Sequence, residues 1–285
     1  MREHLRGSIA VVTGGANGIG LATARLFARH GAMVALADLD VDALSRARLE
    51  LGERALVCER VDVSRADEVS AFARLTFERA QGRPLARVVA AAGIVAAGLF
   101  VDVPAEVFDR VLQVNLGGVV NVCRAFAPRL SAQRSGALVA VGSGITALPL
   151  PGIAAYVASK AAVDAFTRAL GHELAPLGVR VAVVAPGLVA TNIIERVTAH
   201  GLGDAERARA RLRGLVERLG ASPDDVAHAI ERAAAGGTEA RFVREARALE
   251  AVARLAPWVP RALGRALGHA APRLVGKPTQ RGEAS

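Results

Sequence analysis

The sequence predicts an α/β fold, a doubly wound parallel sheet of about seven strands with helices on both faces and a helical C-terminal appendage. Three observations carry that expectation. Short apolar runs alternate with stretches of helical period along most of the chain, and a glycine-rich turn joins the first such run to the first helix. At 285 residues, 52% of them hydrophobic but only 4% aromatic, the chain suits one large domain whose core is filled by Ala, Val and Leu.

Ile9 to Thr13 is the first apolar run, followed at once by Gly14, Gly15, Ala16, Asn17, Gly18, Ile19 and Gly20. From Ile19 to His30 the apolar positions recur with helical period, and Gly31 closes the helix. A strand, a glycine turn and a helix in succession can build a phosphate cradle, because the glycines let backbone approach the anion and the helix N-terminus presents free amides. Met33 to Ala37 is a second strand ending in Asp38, eighteen residues after Gly20. A carboxylate there can accept hydrogen bonds from ribose hydroxyls and repel a 2′-phosphate, and neither Asn17 nor Leu39 offers a cation to hold one. The alternative is an ordinary acidic loop, given Asp40 and Asp42.

A helix over Asp42 to Leu51 and a strand over Ala55 to Arg60 come next. After Asp62 and Val63, Ser64 with Asp67 and Glu68 predicts a helix N-terminus extending to about Gln81. Arg87 to Ala92 is the fourth strand, ending at Gly93, and Pro104 to about Leu130 is a long helical region carrying Asn115. Ala137 to Val141 is the fifth strand, with Ser143 just past its C-terminal end, where open α/β sheets place ligands. Ala155 to Leu174 is helical, Arg180 to Ala185 is the sixth strand, and Pro186, Gly187 and Thr191 follow it. Helices over Asp204 to Leu219 and Pro223 to Ala235, the latter capped by Ser222, and a seventh strand over Ala240 to Val243 complete a domain spanning residues 1–243. Within it, about 188–222 form a substrate-loop region.

Tyr156 is the only tyrosine, and Lys160 is one of two lysines beside 34 arginines. Four residues apart on a helix, they share a face. An ammonium beside a phenol favours the phenolate and lowers its pKa, which would let the tyrosine exchange a proton with an alcohol or ketone near neutral pH. A surface pair along a helix is the alternative.

Together the TGGANGIG string at Thr13 to Gly20, the Asp62 to Val63 pair, Asn115, Ser143, the YVASK string at Tyr156 to Lys160 and the PGLVAT string at Pro186 to Thr191 resemble the short-chain dehydrogenase/reductase family, with its Rossmann-type fold. The resemblance extends from about Ser8 to Asn192 and more weakly to about Phe242. It implies that Tyr156 is a general acid/base, that Lys160 tunes it and binds the nicotinamide ribose, and that Ser143 hydrogen-bonds the reacting oxygen. Asn115 would hold a water linking Lys160 to solvent. Gly14, Asn17, Gly18, Ile19 and Gly20 would line the pyrophosphate, Asp62 and Val63 would contact adenine, and Ala92 and Gly93 would lie beside the cofactor. Pro186, Gly187, Val189 and Thr191 would close over the nicotinamide. Two departures stand out. Ala90 and Ala91 occupy positions where the family carries two asparagines, and the family's C-terminal strand ending in a Gly-Gly pair is missing, which puts its familiar tetramer in doubt without excluding a homo-oligomer.

Residues 244–285 form a basic amphipathic extension. Counting Glu239 to Ser285 gives nine Lys and Arg against four Glu, so +5 of the net +9 charge lies in the last 47 residues. This appendage, which carries Trp258, could dock on its own domain or a partner subunit, cover the site, or touch an anionic membrane peripherally. The nearly balanced core argues against nucleic acid as a partner. Cys58 and Cys123 have no zinc or CxxC spacing, and the charged Arg2, Glu3 and Arg6 do not resemble a signal peptide, so a reducing cytoplasmic setting is expected. Ile145, Ile153, Leu188 and Ile193 surround Ser143 and the sixth-strand loop without a cluster of cations, which suits a lipophilic alcohol or ketone such as a steroid, terpenoid, retinoid or acyl chain.

The expected activity is therefore interconversion of a secondary alcohol and a ketone with NAD, with no metal. NADP is the weaker expectation. A ketone reductase using NADPH and a non-catalytic dinucleotide-binding scaffold are the rivals. Cofactor affinities discriminate the first, and the retention of Ser143, Tyr156, Lys160 and Asn115 together argues against the second.

Overall fold

The computed structural model describes residues 5–189, 197–201, 220–236 and 241–243, with the single positions 206, 210, 213, 214, 255, 258, 262, 264 and 265. The expected helix at 204–219 and the extension at 244–285 fall largely outside them, as do Thr191 and Ile193.

The main elements follow the predicted alternation. In chain order they are β1 (Ile9–Thr13), α1 (Gly18–Arg29), β2 (Met33–Asp38), α2 (Val41–Leu51), β3 (Ala55–Arg60), α3 (Ala66–Arg79) and β4 (Leu85–Ala90). After a two-residue strand, β5 (Ala96–Ala97), come α4 (Ala105–Leu112), α5 (Gly118–Gln133), β6 (Ala137–Val141), α6 (Ala154–Leu174) and β7 (Arg180–Pro186). A second two-residue strand, β8 (Thr198–Ala199), precedes α7 (Pro223–Gly236) and β9 (Arg241–Val243).

Seven strands form one sheet in the order β3-β2-β1-β4-β6-β7-β9, with every neighbouring pair parallel. Such strands are covered on both faces, and β1 and β6 accordingly read as unbroken apolar runs buried at every position. On one face Phe27 of α1 and Val226 and Ile230 of α7 pack on the sheet. On the other, Val69 and Phe72 of α3, Phe126 of α5 and Val163 of α6 do so. Phe72 and Phe77 meet Phe126 edge-on at 6.1 and 5.7 Å. Each such side chain contributes about 2 kcal/mol through burial.

Chain order in the sheet reverses beside β1, which lies between β2 and β4. The turns after β1 and β4 part at this switch point and leave a crevice at the strands' C-terminal ends. Several boundaries differ from expectation here. β4 runs over Leu85–Ala90 rather than Arg87 to Ala92, because its pairing with β1 and β6 ends at Ala90 and the chain then turns past Gly14. Ser64 does not cap α3. The cap position is Arg65, without a side-chain bond, and the Ser64 hydroxyl donates instead to Asp62 Oδ1 at 2.7 Å. The region from Pro104 to Leu130 is helical, but a π turn over Gln113–Gly117 divides it and carries Asn115. The expected cap at Ser222 does form: its hydroxyl accepts from Asp225 N at 3.1 Å and its amide donates back to Asp225 Oδ2 at 3.2 Å. β5 and β8, which no pattern marked, pair with each other and tie the chain after β4 to the chain after β7.

Candidate active site

The switch-point crevice is a cleft of about 240 Å³. Gly14, Asn17, Gly18, Ile19 and Gly20 form one wall, Asp38, Asp62 and Val63 a second, and Ala92 and Gly93 a third, so ten residues marked in the sequence meet in one place. The first wall is backbone by necessity. A Cβ on Gly20 would stand 2.0 Å from the Gly14 carbonyl oxygen, and one on Gly14, where φ is +64°, would stand 2.7 Å from the Ala92 amide nitrogen. Glycine alone admits both that φ and that approach.

These residues fit a dinucleotide. The opening amides of α1 have no intrahelical acceptor and face an anion favourably. Asn17 supplies a second sign, since its Nδ2 is buried beside the cleft without a hydrogen-bond partner. Asp38 is braced in the cleft wall: Oδ2 accepts from the Ala16 amide at 3.1 Å and Oδ1 from the Asp40 amide at 3.2 Å.

The second wall holds a residue that the sequence did not mark. Arg110, in the last turn of α4, lines the cleft and donates to Asp62 Oδ2 at 2.7 Å and to Ser64 Oγ at 2.6 Å. Burial opposes ionisation of Asp62, yet the bonds from Ser64 and Arg110 outweigh it and hold the carboxyl below its ordinary value. Leu39, Val61, Ala91, Ile94, Val95 and Val114 complete the lining. As apolar neighbours of marked residues they had no signal of their own. Arg110 had only its place four residues before Val114 on one helix face.

Gly93 joins the cleft to the chemical groups. A Cβ there would lie 3.2 Å from Asn115 Oδ1 and 3.5 Å from Lys160 Nζ. Ser143, Tyr156, Lys160 and Asn115 thus gather where β6, α6 and the π turn converge beyond the cleft. Lys160 is buried and donates from Nζ to the Val141 carbonyl at 2.8 Å, and its Nζ lies 5.8 Å from the Tyr156 ring centre. Ser143 is also buried, and its Oγ accepts from the Ile145 amide at 3.3 Å. Ser159, one turn below Tyr156, donates to the Tyr156 carbonyl at 2.7 Å and accepts from Asn115 Nδ2 at 2.9 Å.

One expectation needs correction here. The Tyr156 phenol is not lowered by the lysine: burial disfavours the phenolate and raises its pKa, while a hydrogen bond with Ser143 acts the other way. Burial instead brings Lys160 down to about 8, because its ammonium is desolvated. The Asn115 side-chain amide is engaged within the protein. Both of its N–H groups are spent, on the Ile94 carbonyl at 3.0 Å and on Ser159, and its Oδ1 accepts from the Ile94 amide at 2.8 Å.

Of the remaining candidates, Ile145, Ile153 and Leu188 are half-buried. Pro186 ends β7 and Gly187 follows it, while Val189 forms a bridge with Ala221, which places all three outside the cleft lining. Among the described residues no cluster of His, Cys, Asp and Glu could hold a metal, and no helix is long and apolar enough to cross a membrane.

Comparison with known proteins agrees with this geometry. A family model described as short chain dehydrogenase matches residues 8–201. The probable oxidoreductase EphD of Mycobacterium tuberculosis is 39% identical over 93% of this chain, which spans only 46% of that relative, about half its length. The 2,3-dihydro-2,3-dihydroxybenzoate dehydrogenase of Bacillus subtilis is 32% identical over 80% of this chain and 89% of its own. Among solved structures, a 3-ketoacyl-(acyl-carrier-protein) reductase from Brucella melitensis complexed with NADH superposes with a TM-score of 0.73 at 27% identity, covering 84% of this chain and 97% of that one.

Proposed function

The chain belongs to the short chain dehydrogenase family of oxidoreductases, and from that premise we propose that it interconverts a secondary alcohol and a ketone on a lipophilic substrate, using NAD. The observation that carries this reading is the junction at Gly93, which lines the cleft and lies beside Asn115 and Lys160. A bound nicotinamide would supply or accept the hydride.

In this reading the cofactor's pyrophosphate rests on Gly14, Asn17, Gly18, Ile19 and Gly20, its adenosine ribose on Asp38, and its adenine beside Asp62 and Val63. Tyr156 gives its phenolic proton to a ketone oxygen or takes one from an alcohol, and Ser143 donates to the same oxygen. Lys160 holds positive charge beneath them and reaches the nicotinamide ribose. A relay water in this setting would be held by the Asn115 main-chain carbonyl, because the amide side chain is consumed in bracing Ile94 and Ser159. Pro186, Gly187, Val189 and Thr191 would close the nicotinamide end. Ile145, Ile153, Leu188 and Ile193 give the substrate an apolar surface, which favours a lipophilic molecule over a sugar. We also propose a reducing, cytoplasmic setting, consistent with the free Cys58 and Cys123, and a homo-oligomer. The basic extension at 244–285 is proposed as a point of peripheral membrane contact.

The preference for NAD over NADP rests on Asp38 lining the cleft with Leu39, not a cation, beside it. Titration of both cofactors into the wild type and Asp38→Ala tests this. The expected result is preference for NAD by at least about tenfold, collapsing in the variant through loss of the ribose acceptor and of the repulsion toward a 2′-phosphate. Preference for NADP in the wild type would make the protein a ketone reductase, and binding of neither would leave a scaffold.

A further inference from the structure

We infer that Arg110 is a positioning residue that, through Asp62, makes the cleft selective for a base bearing an exocyclic amino group. The inference rests on the reading of the cleft as a dinucleotide site.

Its basis is the accounting of one carboxylate. Asp62 Oδ1 accepts twice, from the Ser64 amide at 3.0 Å and the Ser64 hydroxyl at 2.7 Å. Oδ2 accepts once, from Arg110 at 2.7 Å, while the other arm of the same guanidinium donates to Ser64 Oγ at 2.6 Å. A carboxylate offers about four acceptor positions, so one remains, on Oδ2. The Asp62 side chain is only 14% exposed, and both Asp62 and Arg110 line the cleft. The closed ring of Asp62, Ser64 and Arg110 fixes the carboxylate's rotation, and the free position is an acceptor among the apolar walls of Leu39, Val61 and Val63. An amino group, as on adenine, satisfies it. A carbonyl, as on hypoxanthine, sets acceptor against acceptor and leaves both unpaired.

Arg110 contributes a second effect. Unpaired, the Asp62 carboxylate would add negative charge beside a ligand that already carries a pyrophosphate. The guanidinium cancels it without occupying the free acceptor position. Lysine would keep the charge but could not bridge Asp62 and Ser64 in one plane, because it lacks the fork. The helix supports this geometry: the neighbouring Val111 is buried against Ala96 and Ala155, so the α4 backbone at Arg110 is anchored.

The experiment compares NAD with nicotinamide hypoxanthine dinucleotide by calorimetric titration of the full chain. The wild type should prefer NAD by about tenfold or more, the worth of one well-placed polar contact. Arg110→Met should weaken NAD by about tenfold and bring the ratio of the two affinities close to one. Arg110→Lys should recover part of the affinity and little of the ratio. Ser64→Ala, which opens the ring while leaving Arg110 in place, should lower the ratio by a smaller factor and carries the test if Arg110→Met does not fold. The inference is overturned if the wild type binds both dinucleotides equally, if the variants keep the wild-type ratio, or if they weaken both ligands by one common factor, as a mere structural brace would. Failure of the wild type to bind NAD or NADP at all would overturn the dinucleotide reading, and this inference with it. Binding of NAD without base preference would sink this inference alone.

Discussion

The two ends of the cleft handle charge in opposite ways. At the end walled by Asp38 and Asp62 each charged group has a partner. Asp62 is held by Arg110 and Ser64, Asp38 by two backbone amides, and Asp62 stays ionised despite its burial. At the chemical end Lys160 is buried against a single neutral carbonyl, and Tyr156 has only Ser143 to favour its ionised form. Paired charges give a fixed surface that recognises a ligand without changing state. An ammonium stripped of water and given no counter-ion sits near its own titration point, which is what a group that moves protons needs. The difference teaches that one sheet edge separates recognition from chemistry by rationing counter-charges.

The sharpest way to break that contrast is to remove the phenol. Tyr156→Phe keeps the ring and deletes the proton, so turnover should fall about a thousandfold while the dissociation constant for NAD stays within about twofold. Near-normal turnover in that variant would reassign the acid/base. The next largest effect belongs to the recognition end. Gly20→Ala places a methyl 2.0 Å from the Gly14 carbonyl, with backbone on both sides and no flexible side chain to yield. It should weaken NAD by about a hundredfold and cost about 3 kcal/mol of stability, read by titration and by thermal unfolding. Unchanged NAD affinity would show that the wall is looser than its geometry.

Most of the recognition end was legible in the sequence, because its parts are local. A glycine turn between a strand and a helix, and an acid at the end of the next strand, are set by neighbours within about twenty residues, and all ten marked lining residues meet in the cleft. What escaped was long-range. Arg110 reaches Asp62 across 48 positions of sequence, and nothing in α4 distinguishes it from any exposed arginine. The bridge between β5 and β8 escaped for the same reason, with two residues in each strand too few to show a period. At the chemical end the identities of Ser143, Tyr156 and Lys160 were legible but their electrostatics were not. Four-residue spacing places Lys160 near Tyr156, but only the fold shows that the ammonium turns to the Val141 carbonyl and that burial, not the neighbouring charge, governs both groups.

That buried ammonium leads to the smallest effect and the most direct test of the contrast. Lys160 titrates near 8 in the folded chain and at its ordinary value of 10.5 once unfolded. Below about pH 8 both states hold the proton, and the folded state bears the full cost of a desolvated charge. Between about 8 and 10.5 the folded chain has released its proton while the unfolded chain still binds it, so stability rises with pH across that window. Tyr156 pulls the other way, but only above the ordinary phenol value of 10, since its folded pKa is raised. Urea unfolding of the wild type and of Lys160→Met should therefore diverge between about pH 8 and pH 10, with the wild type gaining roughly 2 kcal/mol relative to the variant. Other titrating groups are common to both chains and cancel. Parallel pH profiles would mean that the ammonium is solvated or paired in the folded state, and the division between paired recognition charges and a stripped chemical one would then fail at its central residue.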